Sequence, residues 1–248
     1  MSRFLILLYG IVSYAVGLGG LTYFFLFMGG WDFLPLHIDS GSPGPPGVAL
    51  LVNTGLVVLF GLQHTVMARR GFKNVWTKVV PQAAERSTYV LFSGLLMLLI
   101  CVWWQPLDGT LWHVDQQIAG IALLVIQLLG WALAVAATFV INHFELFGLQ
   151  QVYFHFIHKS EPSITFTERF VYRVVRHPLQ LGLLIGMWST PTMTMTHLML
   201  SVAMTIYIFI ALHYEEEDLV AALGQDYEDY RKRVRMILPI PKRTNAPD

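Results

Sequence analysis

The sequence predicts an all-α protein: a polytopic transmembrane helical bundle of four full spans, followed by a C-terminal helical hairpin and an amphipathic helix. Three observations predict it. Of 248 residues, 55% are hydrophobic and 13% charged, which lies beyond the soluble range in the membrane direction. Apolar runs at about 4–28, 48–68, 88–105 and 118–141 reach the roughly 20 residues that a bilayer crossing requires. The period-2 alternation of a membrane barrel is missing, and backbone groups in lipid must be satisfied within their own segment, which leaves helices.

Taken in order, the run 4–28 is too long for a signal-peptide core and has no small-residue cleavage site before Trp31, so it is expected to be a retained first span. "SGSPGPPG" (40–47) cannot continue a helix and reads as an outer loop. The run 88–105 contains Cys101, the single cysteine, which excludes an internal disulfide or a cysteine zinc site and is expected to pack as a small apolar group. Two shorter apolar pieces, 179–190 and 197–213, are broken by "STPTMT" (189–194) and predict a tight helical hairpin. Beyond them Leu219, Leu223, Tyr227, Tyr230 and Val234 recur at spacings of three and four, one stripe of an amphipathic helix. Gly224 would stand inside that helix at a cost of about 1 kcal/mol relative to alanine. The whole is expected to form one membrane domain: a four-span core (1–141), a cytoplasmic connection (142–178), the hairpin (179–213), and a cytoplasmic helix and tail (214–248).

Sixteen Lys and Arg balance sixteen Asp and Glu, so no net charge recruits nucleic acid, and the placement of charges matters more than their sum. Every basic residue falls in one of four places: Arg3; the second connection with Arg69, Arg70, Lys73, Lys78 and Arg86; the fourth with Lys159, Arg169, Arg173 and Arg176; and the C-terminal segment with Arg231, Lys232, Arg233, Arg235, Lys242 and Arg243. The first and third connections hold only Asp32, Asp39, Asp108 and Asp115. By the positive-inside rule both termini are expected on the cytoplasmic face of a bacterial-type inner membrane, which requires six passes.

Polar residues inside membrane segments are functional candidates. Gln63 and His64 end the second span, "ERSTY" (85–89) opens the third, "NHFE" (142–145) closes the fourth, Arg176 and His177 open the hairpin, and His213, Glu215 and Glu216 close it. All five are expected at one depth, around a cytoplasm-facing pocket. Structural alternatives stand beside this reading. His64 would serve equally as an interhelical hydrogen-bonding group, Asn142, His143 and Glu145 as a cap on the fourth span, and Arg86, Arg169 and Arg173 as headgroup contacts. Lys159 and Glu161 are expected to be solvated. His155 and His158 lack a third ligand nearby, so no metal site is expected.

"RHPLQLG" (176–182) and "HYEEEDL" (213–219) carry the sharper reading. Pro178 in a first helical turn sets the start of the hairpin helix, whose N-terminus favours an anion, and Gly182 one turn on leaves room for a ligand to approach the backbone. The hairpin returns Glu215 and Glu216 to the face of Arg176 and His177. Carboxylates suit an ammonium or ribose hydroxyls, and an arginine at a helix N-terminus suits a carboxylate. Together these groups match an amino-acid zwitterion joined to a nucleoside.

At these residues the chain resembles the membrane methyltransferases of the isoprenylcysteine carboxyl methyltransferase and phospholipid N-methyltransferase type, whose pattern is Arg-His-Pro-x-Tyr-x-Gly, then Glu-Glu-x-x-Leu, then Gly-x-x-Tyr-x-x-Tyr. The matching residues are Arg176, His177, Pro178 and Gly182, then Glu215, Glu216 and Leu219, then Gly224, Tyr227 and Tyr230. Gln180 stands where the pattern has tyrosine. The resemblance implies an S-adenosylmethionine site formed by Arg176, His177, Pro178, Gln180, Gly182, His213, Glu215 and Glu216. "GLQHTVMAR" (61–69), "ERSTYVL" (85–91) and "NHFELFGLQQVY" (142–153) are similar to the methanethiol S-methyltransferase branch, and also to a denitrification-associated group of membrane proteins.

The first likeness implies methyl transfer to a small thiol, methanethiol giving dimethyl sulfide. The thiolate is the nucleophile, so a base or cation near the thiol helps; His64, His143 and Glu145 are the candidates for the proton, and Arg86 or Arg176 for steadying the anion. A lipid amine or a prenylcysteine carboxylate remains open as acceptor. So does a non-catalytic haem-binding or denitrification-associated membrane protein, with His64 and His143 as axial ligands.

Overall fold

The computed structural model describes residues 2–160 and 168–240; Glu161, Lys242 and Arg243 lie outside them. Among the described residues five helices are long and apolar enough to cross a membrane: α1 (Arg3–Met28), α2 (Pro46–Ala68), α4 (Gln82–Trp103), α5 (Gln117–Ile141) and α9 (Met195–Leu223). The chain is a multi-pass helical membrane protein. Short elements connect the spans: α3 (Arg70–Trp76), β1 (Thr110–His113), α6 (His143–Leu146), α7 (Leu149–Phe156), a 3-10 turn at Phe170–Arg173, α8 (Pro178–Trp188), β2 (Thr192–Thr194) and α10 (Gln225–Arg233).

The four predicted spans are present, with Cys101 buried in α4 as expected. The hairpin differs from its prediction in three ways. Its arms are unequal: α8 has 11 residues, about 16 Å at 1.5 Å per residue, whereas α9 has 29. The "STPTMT" connection is not a bare turn, because Thr192–Thr194 pairs antiparallel with Thr110–His113; β-branched threonines favour the extended backbone. Finally, α9 does not stop at His213. No glycine or proline interrupts 213–223, and its Glu, Leu and Ala residues are good helix formers, so the acidic run belongs to the spanning helix itself.

Gly224 is likewise not inside a helix. Its φ of 60° is one that glycine adopts without strain, and it separates α9 from α10. The apolar stripe is therefore shared by two helices, and Leu219, Val220 and Leu223 of α9 pack with Tyr227, Tyr230 and Val234 around the break.

The chain divides into two compact units. The first holds α1 to α4, α6, α7, both strands and the beginning of α9; the second holds α5, α8, the rest of α9 and α10. In the first unit α1 presents Gly10, Ser13, Gly17 and Gly20, all buried, and packs along α4 and α7. Lipid supplies no hydrophobic drive between helices, so such small faces associate by close backbone approach.

In the second unit α5 and α8 meet in the same way. A Cβ on Gly182 would lie 2.5 Å from the backbone N of Ala134 and 2.6 Å from the carbonyl O of Gly130. The space at Gly182 is filled by α5, which corrects the expectation that it opens the backbone to a ligand. Gln127, buried in α5, donates to the carbonyl of Gly186 at 3.1 Å.

Gly182→Val should therefore destabilise the protein by about 1–3 kcal/mol through overpacking, read as a lower thermal unfolding midpoint in detergent. Gly55→Ala, whose added Cβ meets nothing within 4 Å, should leave the midpoint unchanged or slightly raised.

Candidate functional site

The second unit brings the basic and acidic stretches together. Residues ahead of a proline avoid the helical region, and His177 accordingly lies outside it (φ −126°, ψ 68°) as the N-cap of α8, with Pro178 in the first turn. The segment 175–177 lies beside the C-terminal strand-like segment: Val175 bridges Arg235 in parallel, Arg176 N–H donates to the Arg235 carbonyl at 2.9 Å, and His177 N–H to the Met236 carbonyl at 3.1 Å.

Glu216 is the centre of this arrangement and is only 6% exposed. Its Oε1 accepts from Arg176 Nε at 2.7 Å, from the same guanidinium's Nη2 at 2.6 Å and from His177 Nε2 at 3.1 Å. Its Oε2 lies 3.3 Å from Arg231 Nε. A carboxylate only accepts, so His177 carries its hydrogen on Nε2. Arg176 Nη1 also donates to the carbonyls of Arg231 and Val234.

Tyr230 O–H donates to the Tyr172 carbonyl at 2.6 Å, and Tyr172 O–H to the Ala137 carbonyl at 3.4 Å. Burial pushes the Tyr172, Tyr227 and Tyr230 hydroxyls above the usual tyrosine range, so all three remain protonated donors. The amphipathic stripe thus packs α10 over the Arg176–His177 segment.

The remaining residues of the expected cofactor site stand around this centre with different exposures. Pro178 is buried and Gln180 partly buried in the first turn of α8. Glu215 is exposed, its Oε1 4.0 Å from His177 Nδ1. His213 is exposed and pairs with Glu217 one turn on, at 3.4 Å. Arg231, which sequence reasoning passed over as one of a basic run, is the third side chain on Glu216. Its signal was its place beside Tyr227 and Tyr230 on the stripe-bearing helix.

In the first unit His64 of α2 meets α4: Nδ1 lies 3.0 Å from Ser93 Oγ and Nε2 2.7 Å from the Tyr89 hydroxyl. Its ring stacks on Phe60 at 5.1 Å. Arg86 holds its guanidinium 4.8 Å from the centre of the Tyr89 ring and donates through Nε to the Leu146 carbonyl at 2.8 Å. The interhelical role weighed for His64 is realised, with Tyr89 as its partner. Tyr89 was missed, although Arg86, Tyr89 and Ser93 follow the three–four spacing of one helix face.

His143 on α6 is buried among Tyr14, Phe144 and Phe147, with Nε2 2.8 Å from the Tyr14 hydroxyl. Burial lowers its pKa below the ordinary histidine value, so it is neutral at pH 7. Asn142 caps α6 by accepting from Glu145 N–H at 3.3 Å, and its amide donates to Glu145 Oε2 at 3.0 Å. Asn142 thus caps the start of α6, rather than the end of the fourth span as weighed for Asn142, His143 and Glu145.

The sequence pattern of the family described as phospholipid methyltransferase matches residues 116–226. A methanethiol S-methyltransferase of Mycobacterium tuberculosis is 44% identical over 243 residues, 98% of this chain and 99% of the relative. One of Crocosphaera subtropica is 44% identical over 239 residues, 96% and 93% of the two chains. Nurim of Pan troglodytes is 31% identical over 175 residues, 67% of this chain and 66% of the relative. No solved structure matches the chain.

Removing one partner of a buried ion pair leaves the other charge uncompensated, at about 3–5 kcal/mol. Glu216→Ala should accordingly cause a large loss of stability in thermal unfolding, while Glu215→Ala, at an exposed position, should stay within about 0.5 kcal/mol of the parent.

Proposed function

The chain belongs to the methanethiol S-methyltransferase family, and from that premise we propose that it transfers the methyl group of S-adenosylmethionine to a small thiol, methanethiol giving dimethyl sulfide. The observation that carries the cofactor assignment is the buried cluster on Glu216. Arg176 and Arg231 both engage this one carboxylate, which gathers two guanidinium groups beside the entry to α8, and guanidinium groups suit the cofactor's carboxylate. Glu215, exposed and 4.0 Å from His177, is the group for an ammonium or ribose hydroxyls. Gln180, Pro178 and the first turn of α8 complete the set, with His213 at its edge. The cofactor supplies an already activated methyl group on a sulfonium.

The chain's own part is to hold the donor, exclude water and take the thiol's proton. His64, His143, Glu145 and Arg86 are the residues we assign to the thiol. His64 and His143 each direct Nε2 at a tyrosine hydroxyl, an arrangement that suits proton handling. We place both termini on the cytoplasmic face, because the basic residues gather in the connections assigned to that side. Since α8 covers about half of a ~30 Å hydrocarbon core, the segment that follows it must complete the sixth pass.

Incubating the purified protein with methyl-labelled S-adenosylmethionine, a panel of thiols and a panel of lipids should put the label into dimethyl sulfide. Label in a lipid amine or a prenyl carboxylate would replace the acceptor, and no transfer at all would overturn the reading. His64→Ala should lower kcat by about 10²–10⁴-fold with cofactor affinity retained in calorimetry, whereas Arg231→Ala should weaken cofactor binding.

A further inference from the structure

The proton positions around His64 follow from its neighbours. Ser93 Oγ carries one hydrogen and faces three groups: the Tyr89 carbonyl at 2.8 Å, Gln63 Oε1 at 3.3 Å and His64 Nδ1 at 3.0 Å. The first two only accept, and the Gln63 amide is oriented by its Nε2 donating to Met67 Sδ at 3.2 Å. Giving the serine hydrogen to His64 would set the hydroxyl oxygen against a carbonyl oxygen at 2.8 Å with no hydrogen between them. Ser93 therefore donates to an oxygen and accepts from Nδ1–H, and in the neutral ring the lone pair falls on Nε2. Tyr89 O–H donates to that lone pair at 2.7 Å.

A tyrosine whose hydrogen is committed to an imidazole meets any further donor with oxygen lone pairs, and a thiol S–H is such a donor. As that hydrogen moves toward Nε2, negative charge grows on the phenol, which the Arg86 guanidinium 4.8 Å from the ring centre favours, and the same guanidinium repels a proton held on His64 and so favours its return. Arg86 is itself anchored on the Leu146 carbonyl. Tyr89 is buried, where a hydrogen-bonded relay is electrostatically stronger than in water.

We propose that Tyr89 is the catalytic acid–base residue toward the thiol, relaying its proton to His64, with Ser93 as the positioning residue that fixes the tautomer. This rests on the reading of the chain as a thiol methyltransferase. The S–H bond breaks as an O–H bond forms on Tyr89, and the original Tyr89 O–H bond breaks as an N–H bond forms on His64 Nε2. The sulfur electron pair forms the new C–S bond to the methyl group, and the electrons of the broken S–C bond stay on the donor's sulfur. The positive charge lost by the sulfonium reappears on the imidazolium, which returns its proton through Tyr89 to water before the next turnover.

The alternative is that Tyr89 only fastens α4 to α2. Tyr89→Phe keeps the ring and separates the two, when kcat and KM are measured with methanethiol and with a fluorinated alkanethiol of lower pKa, which needs less help to ionise. The relay predicts that kcat falls about 100-fold or more with methanethiol but less than tenfold with the acidic thiol, at unchanged cofactor affinity. Ser93→Ala should show the same selective rescue from a smaller loss. Equal losses with both thiols in both variants, or no loss in Tyr89→Phe, would overturn the relay while leaving thiol methylation standing. A parent protein that methylates neither thiol would overturn both.

Discussion

A single carboxylate deep in the second unit organises what surrounds it. Glu216 sits on a helix long enough to span a membrane, where an unpaired charge costs several kcal/mol. It persists there because three cationic or hydrogen-donating side chains converge on it. They come from two distant parts of the chain: Arg176 and His177 from the entry to α8, Arg231 from α10. Satisfying this one group therefore determines where α8 begins, where the segment 175–177 lies and how α10 folds back after Gly224. The tyrosines of α10 then bury the arrangement, and the Tyr230 hydroxyl closes onto the Tyr172 carbonyl.

This explains which parts of the fold were legible in the sequence. Spans α1, α2, α4 and α5 were readable because hydropathy over about 20 residues is set by the bilayer alone. The convergence of "RHPLQLG" and "HYEEEDL" was readable for a related reason, since charges near apolar segments must find partners. What escaped was decided by pairing between distant segments. Strand β2 pairs with Thr110–His113, and both pieces, of three and four residues, are too short for an alternation to be read. The extent of α9 was misjudged because the acidic run looked like a solvated end, whereas one member of it, Glu216, is buried on the helix. At Gly224 the residue was noticed and its meaning inverted: a glycine in an apparent stripe marked a left-handed break.

The geometry of the candidate site was legible only in part. The motif residues come together in the second unit, but their partners were hidden, because a sequence names a charged residue without naming its counter-ion. Arg231 is such a case, one cation in a run of basic residues. Tyr89 is another, quoted within the "ERSTY" cluster but not singled out from it. Its role depends on a histidine 25 residues earlier. Gly182 was identified as special for a sound reason, the need for close approach, but the approaching group is the backbone of α5.

The two units bury their polar groups by different physics, and the difference suits the proposed reaction. In the second, permanent ions are held against a carboxylate, which is costly to assemble and gives strong recognition of a charged partner such as an amino-acid zwitterion. In the first, neutral groups are joined by hydrogen bonds: Ser93 to His64 to Tyr89, and Tyr14 to His143. A small thiol is neutral and apolar until it loses its proton, so a permanent ion pair would offer it little. It needs a weak base that is already desolvated and already in the correct tautomer, so that little reorganisation is left for the moment of reaction. A serine that uses its own hydrogen on a carbonyl, and thereby leaves the imidazole lone pair facing a tyrosine, meets that requirement while keeping the resting cluster free of formal charge until the thiol's proton arrives.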